Sequence, residues 1–439
     1  MTDIQVPRAG TISKDGKNLA FYLDDYRLTI IDPYPSDVLF DEQYIYGKMH
    51  DNRTIAFYKG DRSLIVSGTK RIASNYYVVA KSSDSCVQWD KFDYLEFKGG
   101  TLNGLYYCSA LKTKYEKGSR TISYQNDMFK CYFRIGDCDC SLEVSSVVSE
   151  KIGLFANRIE NDEIRLVIKF STPQPFTQAP QYIYKLKEML SFMTFRSEVS
   201  FSQICLGCVD DPFQDKDIFL NDNTAVTSKN FFSNIGFFDL RESAGELANI
   251  IFNNEKDKPS YEIGFIPRTD KETGRIDNSV IRLVASALEC EVEWLKDGDT
   301  PIDSELNKLF DKVKIIIKDH RESDKRLPNK IYDNIFGSLK NWSRSASDKF
   351  FDLYQRHRKE MEALIGRFRE NYNSIDYDDI NNFVKYRNSI THGRYKVLDE
   401  KIAFTAVILE GLVYCCILTR IGMEERQIIS MIRNGKLLA

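Results

Sequence analysis

His392, one of only four histidines in the chain, follows Arg387 at a spacing of five residues. Arg387, Asn388 and His392 are groups that can hold a phosphate and transfer protons near neutral pH. If the helix before them runs on to Gly393, Asn388 and His392 share one helix face, with Arg387 one position round. This combination of residue types predicts chemistry at a phosphodiester bond.

Arg387 lies on a helix face that is otherwise apolar. Ile380, Phe383 and Val384 recur at the spacing of a buried face, and Arg387 takes the next position in that series. A desolvated guanidinium must be paired or must wait for an anion, because an unpaired buried charge costs several kcal/mol. Two interpretations stay open: Arg387 binds a phosphate, or Arg387 pairs with a carboxylate while His392 only caps the helix.

RNA carries its own nucleophile in the 2′-hydroxyl group. An enzyme that cleaves it needs only to deprotonate that oxygen, protonate the leaving 5′-oxygen and stabilise the charge between them. His392 is the candidate for proton transfer, and Arg387 for a bidentate grip on the phosphate. Asn388 would bind a phosphate oxygen or hold one tautomer of His392. The products would be a 2′,3′-cyclic phosphate and a 5′-hydroxyl end, with no metal and no cofactor required.

The order Arg387, Asn388, three spacers and His392 resembles the motif of the HEPN superfamily of metal-independent ribonucleases. The segment from Ile281 to Glu289 also resembles the opening helix of ApeA-type HEPN domains, which follow a β-rich domain in bacterial anti-phage proteins. The resemblance implies an endoribonuclease that acts in abortive infection. It also implies a homodimer in which two copies of the motif face each other, because one histidine cannot conveniently be both acid and base. The implied partners are RNA, with tRNA as one candidate, and a phage-derived trigger on the N-terminal domain.

Length and charge fit this outline. A chain of 439 residues predicts two or three domains, and its 42% hydrophobic and 28% charged residues are ordinary for a globular protein. The net charge of −3 argues against a protein that coats nucleic acid nonspecifically. Residues 311–370, however, contain 15 Lys and Arg but only 10 Asp and Glu. This local basic excess means that an RNA site, if present, is confined to part of the chain.

The fold class predicted is α+β, with a β-rich domain over residues 1–260 and an all-α HEPN bundle over 275–439. Short runs rich in β-branched and aromatic residues predict antiparallel strands in a sandwich or twisted sheet. They are Tyr76–Ala80, Tyr94–Phe97, Thr121–Tyr124, Arg165–Phe170 and Gln203–Leu206. Within this domain, a helix is predicted around Gln178–Ser197, where Ile183, Leu186, Leu190 and Met193 mark one face.

After a polar boundary region over residues 253–277, the chain predicts helices almost throughout. A helix start is expected at Thr300–Asp303, and a long apolar helix from about Asp399 to Arg420. Three apolar stripes are assigned to the core. They comprise Leu306, Leu309, Phe310, Val313, Ile316 and Ile317; then Ile331, Ile335, Leu339 and Trp342; then Phe350, Phe351, Tyr354, Met361, Leu364 and Ile365.

Ten scattered cysteines and an N-terminus without a basic then apolar run predict a reduced, cytoplasmic protein. Cys138 and Cys140, with Cys205 and Cys208, are better interpreted as buried free thiols than as a zinc site, because Cys-x-Cys is poor zinc spacing. The apolar run from Phe404 to Leu418 is shorter than the about 20 residues that span a bilayer, so no membrane role is expected.

The remaining histidines are expected to carry no chemistry. His357 lies in a basic run that is expected to be exposed and to contact RNA phosphates at most. His320 is expected at the surface, and His50 precedes a turn in the β-rich region and carries no functional signal. No glycine-rich phosphate loop or HExxH zinc motif is present in the sequence. Two alternatives to the ribonuclease remain: a non-catalytic HEPN module that binds a nucleotide, RNA or a partner, and a structural helical adaptor in which Arg387 has an internal carboxylate partner.

Overall fold

The computed structural model divides by compactness into two units, Met1–Asn253 and Asn254–Ala439. Each unit is described by itself below. The structure describes residues 9–14, 16–31, 43–59, 63–66, 69–83, 89–106, 111–116, 119–124, 128–152, 157–211, 214–221, 234–253, 266, 268–269, 271–272, 274–294, 304–323, 327–342, 345–368, 374–394 and 397–437.

The N-terminal unit is built on antiparallel strands. They are β1 (Ala9–Lys14), β2 (Lys17–Asp24), β3 (Arg27–Ile31), β4 (Tyr44–Met49), β5 (Thr54–Tyr58), β6 (Ser63–Val66), β7 (Thr69–Ala73), β8 (Tyr76–Ala80), β9 (Lys91–Lys98), β10 (Leu111–Glu116), β11 (Ser119–Tyr124), β12 (Phe129–Ile135), β13 (Cys138–Ile152), β14 (Asn157–Pro175), β15 (Gln203–Gly207) and β16 (Lys216–Leu220). Two helices, α1 (Ala179–Thr194) and α2 (Ala244–Phe252), complete the described secondary structure, with 3-10 turns at Gly100–Gly104 and Phe176–Gln178.

Among the described residues, one sheet runs in the order β12-β13-β14-β9-β15-β16-β8-β5-β4-β1-β2-β3-β7-β6, and β10 pairs with β11 separately. Buried and exposed residues alternate along β2 and β12, as expected for strands with one face on a core. Phe21, Phe57 and Tyr77 belong to the core cluster of β1–β5, β7 and β8. The predicted β-rich architecture with a helix is confirmed.

The helix expected around Gln178–Ser197 is α1. Its predicted face is fully buried, since Ile183, Leu186, Leu190 and Met193 each have 0% of their surface exposed. Helix α2, by contrast, was not predicted from the sequence. It packs on β12 and on α1, so tertiary contacts stabilise a helix too short to persist alone.

The described secondary structure of the C-terminal unit is helical. The helices are α3 (Asn278–Trp294), α4 (Ser304–Ser323), α5 (Asn329–Trp342), α6 (Ala346–Arg356), α7 (Arg358–Ile365), α8 (Tyr377–Thr391), α9 (Glu400–Arg420) and α10 (Glu425–Arg433). Helix α9 packs against α3, α6, α7, α8 and α10, so it is the central helix of the bundle. The predicted start at Thr300–Asp303 lies outside the described residues.

Helix α9 is 21 residues long and apolar enough to cross a membrane by length and composition. The expectation that this segment is too short was therefore wrong. Burial is the better guide to the role of this helix, because 72% of its most apolar window is buried inside the unit. This is the environment of the core helix of a bundle.

The apolar stripes of α4 and α5 are less buried than predicted. Leu309 and Ile316 expose 56% and 66% of their surface, and Ile331 and Ile335 expose 39% and 38%, whereas Phe310 is buried. The two helices pack mainly against each other, so only part of each stripe is covered by the described chain. The side chains of Leu306, Leu339 and Trp342 lie outside the described residues.

The third predicted stripe forms two helices, because the chain breaks at His357 between α6 and α7. The prediction that His357 lies exposed in its basic run was wrong: the side chain is buried, and Nδ1 lies 3.2 Å from Glu360 Oε1. A residue at a helix junction can turn inward while its neighbours face solvent. Arg356, Arg358 and Lys359 do stay exposed.

The four cysteines considered for zinc are free thiols. Cys140 and Cys205 are buried as predicted, whereas Cys138 and Cys208 are only half-buried. Burial raises the pKa of Cys140 and Cys205 to about 12. Within the ranges that the structure describes, no group of three or more His, Cys, Asp or Glu residues is placed to hold a metal ion.

Candidate active site at the end of helix α8

The helix that carries the motif is fixed at its start by a capping box. The Asp376 carboxylate accepts a hydrogen bond from the Asp379 amide at 3.0 Å, and the Asp379 carboxylate accepts one from the Asp376 amide at 3.1 Å. Ile380, Phe383 and Val384 then face the core, with 0%, 0% and 6% of their surfaces exposed. The predicted apolar face is therefore the one that docks α8 on the bundle.

The end of α8 is set by Gly393, as the sequence predicted. His392 is the C-cap, and Gly393 adopts a positive φ of 71°, which costs a residue with a side chain about 1–2 kcal/mol. The Gly393 amide bonds the Ile390 carbonyl at 3.3 Å, and the Arg394 amide bonds the Ser389 carbonyl at 3.0 Å. These two bonds form a Schellman motif, which places His392 at the outer edge of the last turn.

Helix α3 braces that last turn from the side. Arg282 Nη2 donates a hydrogen bond of 2.6 Å to the carbonyl of Ile390, which also accepts the Gly393 amide at the end of the helix. One helical turn earlier, the buried Tyr386 donates its hydroxyl to Asn278 Oδ1 at 2.9 Å. Two polar contacts therefore tie α8 to α3 on either side of Arg387.

The guanidinium of Arg387 contacts Glu289, also on α3, through Nη2. Arg387 keeps 20% of its side chain exposed, whereas Glu289 keeps 51% exposed. Nε of Arg387 is buried and finds no acceptor among the described residues. The charge is thus partly desolvated and incompletely satisfied, and the Glu289 carboxylate that it contacts is half-exposed.

Asn388 and His392 are both exposed. Their backbones are joined by the hydrogen bond from the His392 amide to the Asn388 carbonyl, at 3.1 Å, so the two side chains stand one turn apart. Neither side chain is hydrogen-bonded to the part of the chain that the structure describes. Both are therefore open to a ligand, while Arg387 beside them is held toward Glu289 rather than toward His392.

Elsewhere in the unit, charged side chains form buried pairs. Arg268 contacts Glu410, with 12% and 5% of the side chains exposed. Arg420 donates to Glu291 at 2.9 Å, with 16% and 3% exposed. Burial raises the pKa of Glu410 to about 7 and also raises the pKa of Glu291, and in each case the arginine opposes this effect.

Sequence reasoning missed Arg282 and Glu289 as neighbours of the motif. Both lie at the ends of the segment whose likeness to an opening helix was noted, and they are seven residues apart, which places them on one face of α3. The signal available was a pair of opposite charges at that spacing on a helix whose other face is apolar. It gave no hint of which helix that charged face would meet.

Residues 284–427 match the family model described as Apea-like HEPN. This part of the chain is similar to Apea-like HEPN domains. The match runs from α3 into α10, includes Glu289, Arg387, Asn388 and His392, and covers about a third of the 439 residues. No curated protein and no solved structure matches the chain. The recognition made from the motif and from the opening helix is confirmed at the level of the family.

Proposed function

We propose that this protein is a metal-independent endoribonuclease of bacterial anti-phage defence that acts by abortive infection. The observation that carries the proposal is the end of α8. There an arginine with an unsatisfied buried Nε stands beside two exposed polar side chains, Asn388 and His392, inside an Apea-like HEPN domain. A phosphodiester would supply an acceptor for Nε of Arg387, and hydrogen-bond partners for Asn388 and His392.

In the proposed reaction the 2′-oxygen attacks phosphorus and the bond from phosphorus to the 5′-oxygen breaks. One His392 accepts the proton of the 2′-hydroxyl, and an imidazolium donates a proton to the leaving oxygen. Arg387 exchanges the Glu289 carboxylate for the phosphate and stabilises the charge that grows on its oxygens. Asn388 donates its amide to a phosphate oxygen or orients the imidazole.

The proposal includes a homodimer, because one chain contributes one histidine and the reaction uses an acid and a base. In a two-fold dimer, both copies of Arg387, Asn388 and His392 would line one cleft. RNA, with tRNA as one candidate class, would bind there. The N-terminal unit is proposed to sense a phage-derived trigger, and the protein is proposed to work in the cytoplasm.

A second candidate is a HEPN module that binds RNA, a nucleotide or a partner without cleaving it. The contact between Arg387 and Glu289 favours it, because an arginine that is already paired can stabilise the fold without binding a phosphate. The exposure of Glu289 weakens that interpretation, because a pair whose carboxylate stands in water contributes only about 0–1 kcal/mol.

The test is to incubate the purified protein with total cellular RNA in excess EDTA and to map the ends of the fragments. The proposal predicts cuts with 2′,3′-cyclic phosphate and 5′-hydroxyl ends, because the nucleophile comes from RNA. Fragments with 3′-hydroxyl ends would exclude attack by the 2′-oxygen. Intact RNA under conditions where the protein binds it would favour the non-catalytic module.

The composite site is tested by mixing wild-type protein with excess His392→Ala protein under conditions where subunits exchange. Activity should fall below the level set by dilution, since mixed dimers hold only half of the proton-transfer groups. Activity that follows the wild-type concentration alone, in a mixture shown to exchange, would mean that each protomer cuts by itself.

A further inference from the structure

The N-terminal unit holds a cavity of about 590 Å³, in the size range of sites for small molecules, about 300–1000 Å³. It lies between one end of the sheet and one face of α1. In the part of the chain that the structure describes, its sheet wall comes from three adjacent strands: Gln43 precedes β4, Tyr58 ends β5, and Asn75 and Tyr76 open β8. The antiparallel pairing of these strands brings all three positions to the same end.

The helix wall is one face of α1. Gln181, Tyr184, Lys185 and Glu188 line the cavity, and their spacing of three, one and three residues places them along a single stripe. The opposite face of α1 is buried, so this helix is held rigidly by the core while its polar face is turned to the cavity. A wall built in this way keeps its shape when a ligand arrives.

Aromatic rings form much of the lining. Tyr58 and Tyr76 stack with centroids 4.8 Å apart and an angle of 11° between their planes. Tyr184 exposes 44% of its surface at the same cavity. A large exposed ring on a concave surface is costly to leave in water and offers a flat face to a planar ligand.

The floor of the cavity is neutral. Tyr76 is buried and shares a hydrogen bond of 2.5 Å with the hydroxyl of Tyr44. Burial raises the pKa of both Tyr44 and Tyr76 above the ordinary value, so both hydroxyls stay protonated at any pH of interest. On the helix wall, Lys185 is paired with Glu188 at 2.9 Å, so the charge of the lysine is balanced.

The charge and polarity of the lining exclude two classes of ligand. A polyanion would need unpaired cations, but among the described lining residues the lysine, Lys185, already has a carboxylate partner. A wholly apolar ligand would strip water from the amides of Gln43, Asn75 and Gln181 and leave them unsatisfied. What fits is an uncharged planar ring whose edge carries both hydrogen-bond donors and acceptors. Side-chain amides and aromatic rings are the groups that read and stack such rings in proteins.

We infer that this cavity is a binding site for a single nucleobase, presented as a nucleoside. It is distinct from the RNA site proposed at the end of α8, and it does not depend on whether the protein cleaves RNA.

The test is calorimetric titration of the full-length protein with adenosine, guanosine, cytidine and uridine, each alone, with glucose as an uncharged ring that is not planar. At least one nucleoside should bind with one site per chain. Tyr184→Ala should weaken that binding about tenfold or more, since stacking on an aromatic ring supplies much of the affinity for a base. Gln181→Ala should change the preference among the four bases.

The matched control is Tyr22→Ala, which removes another ring of the N-terminal unit, 41% exposed on β2 and outside the cavity lining. Tyr22→Ala and His392→Ala should both leave nucleoside binding unchanged. The inference is overturned if no nucleoside binds, or if glucose binds and the nucleosides do not. It is equally overturned if His392→Ala abolishes the binding while Tyr184→Ala does not, because the nucleoside would then occupy the site at α8.

Discussion

Two arginines of the helical unit contact glutamates in opposite surroundings. Arg268 contacts Glu410 of the central helix α9, and only 12% and 5% of the two side chains are exposed. Arg387 meets Glu289 at the rim, where the carboxylate is 51% exposed. Nε of both arginines is buried without an acceptor in the described part of the chain, so this atom does not distinguish them. The same two residue types thus make a cross-link in the core and an exchangeable contact at the motif. Burial of the carboxylate separates the two roles.

Removing the buried arginine is expected to have the largest effect on stability. Arg268→Ala leaves Glu410 without a charged partner in the core, which should reduce the free energy of unfolding by about 3–5 kcal/mol. Denaturation followed by circular dichroism measures this. The matched control is Arg358→Ala, whose pair with Glu362 is exposed at 64% and 57%, so its removal should leave the free energy of unfolding nearly unchanged. Equal effects of the two changes would contradict the distinction drawn from burial.

Removing the arginine of the motif should separate activity from stability. Arg387→Ala is expected to lower RNA cleavage about hundredfold, the effect of deleting one donor to a transition-state oxyanion. The free energy of unfolding should fall by only about 1 kcal/mol, because the lost partner is a solvated carboxylate. Arg53→Ala serves as the control for cleavage, because Arg53 lies in the N-terminal unit, is also 20% exposed and contacts a carboxylate, that of Asp51. A large loss of stability with Arg387→Ala would instead assign the arginine to the architecture of the bundle.

The smallest effect is expected from the other half of the exposed pair. Glu289→Gln keeps the shape of the side chain and removes the charge that competes with a phosphate for Arg387. Cleavage should change by less than about tenfold, and stability by less than about 1 kcal/mol. A loss of cleavage as large as that of Arg387→Ala would show that Glu289 takes part in the reaction rather than occupying the arginine until RNA binds.

The sequence predicted α8 and its end well because the signals there are local. The apolar series from Ile380 to Val384 and the glycine at 393 act within one helix. Helix α8 buries that series and ends before that glycine, as predicted. The contacts of Arg282 and Glu289 could not be predicted in the same way. They depend on which face of α3 meets α8, and that is settled by packing over a separation of about a hundred residues.

The same limit explains the errors. The stripe of α4 has the period of a buried face, yet Leu309 and Ile316 are exposed. Periodicity predicts that a helix is amphipathic, but it does not show whether another element packs against the apolar face. His357 was placed at the surface because its sequence neighbours are charged, whereas a helix break turns its ring inward. The cavity beside α1 gave no sequence signal, since its lining comes from four separate segments.

The most direct measurement of the central claim is the cleavage rate of one labelled RNA, in excess EDTA, by wild-type, His392→Ala and His50→Ala proteins. His50 is an exposed histidine of the N-terminal unit, so its removal controls for the loss of an imidazole. We predict that His50→Ala cuts like the wild type and that His392→Ala loses about 10²–10⁴-fold of the rate, the usual contribution of acid–base catalysis, with an unchanged melting temperature. Cleavage by His392→Ala within a few fold of the wild type would contradict the assignment of the site.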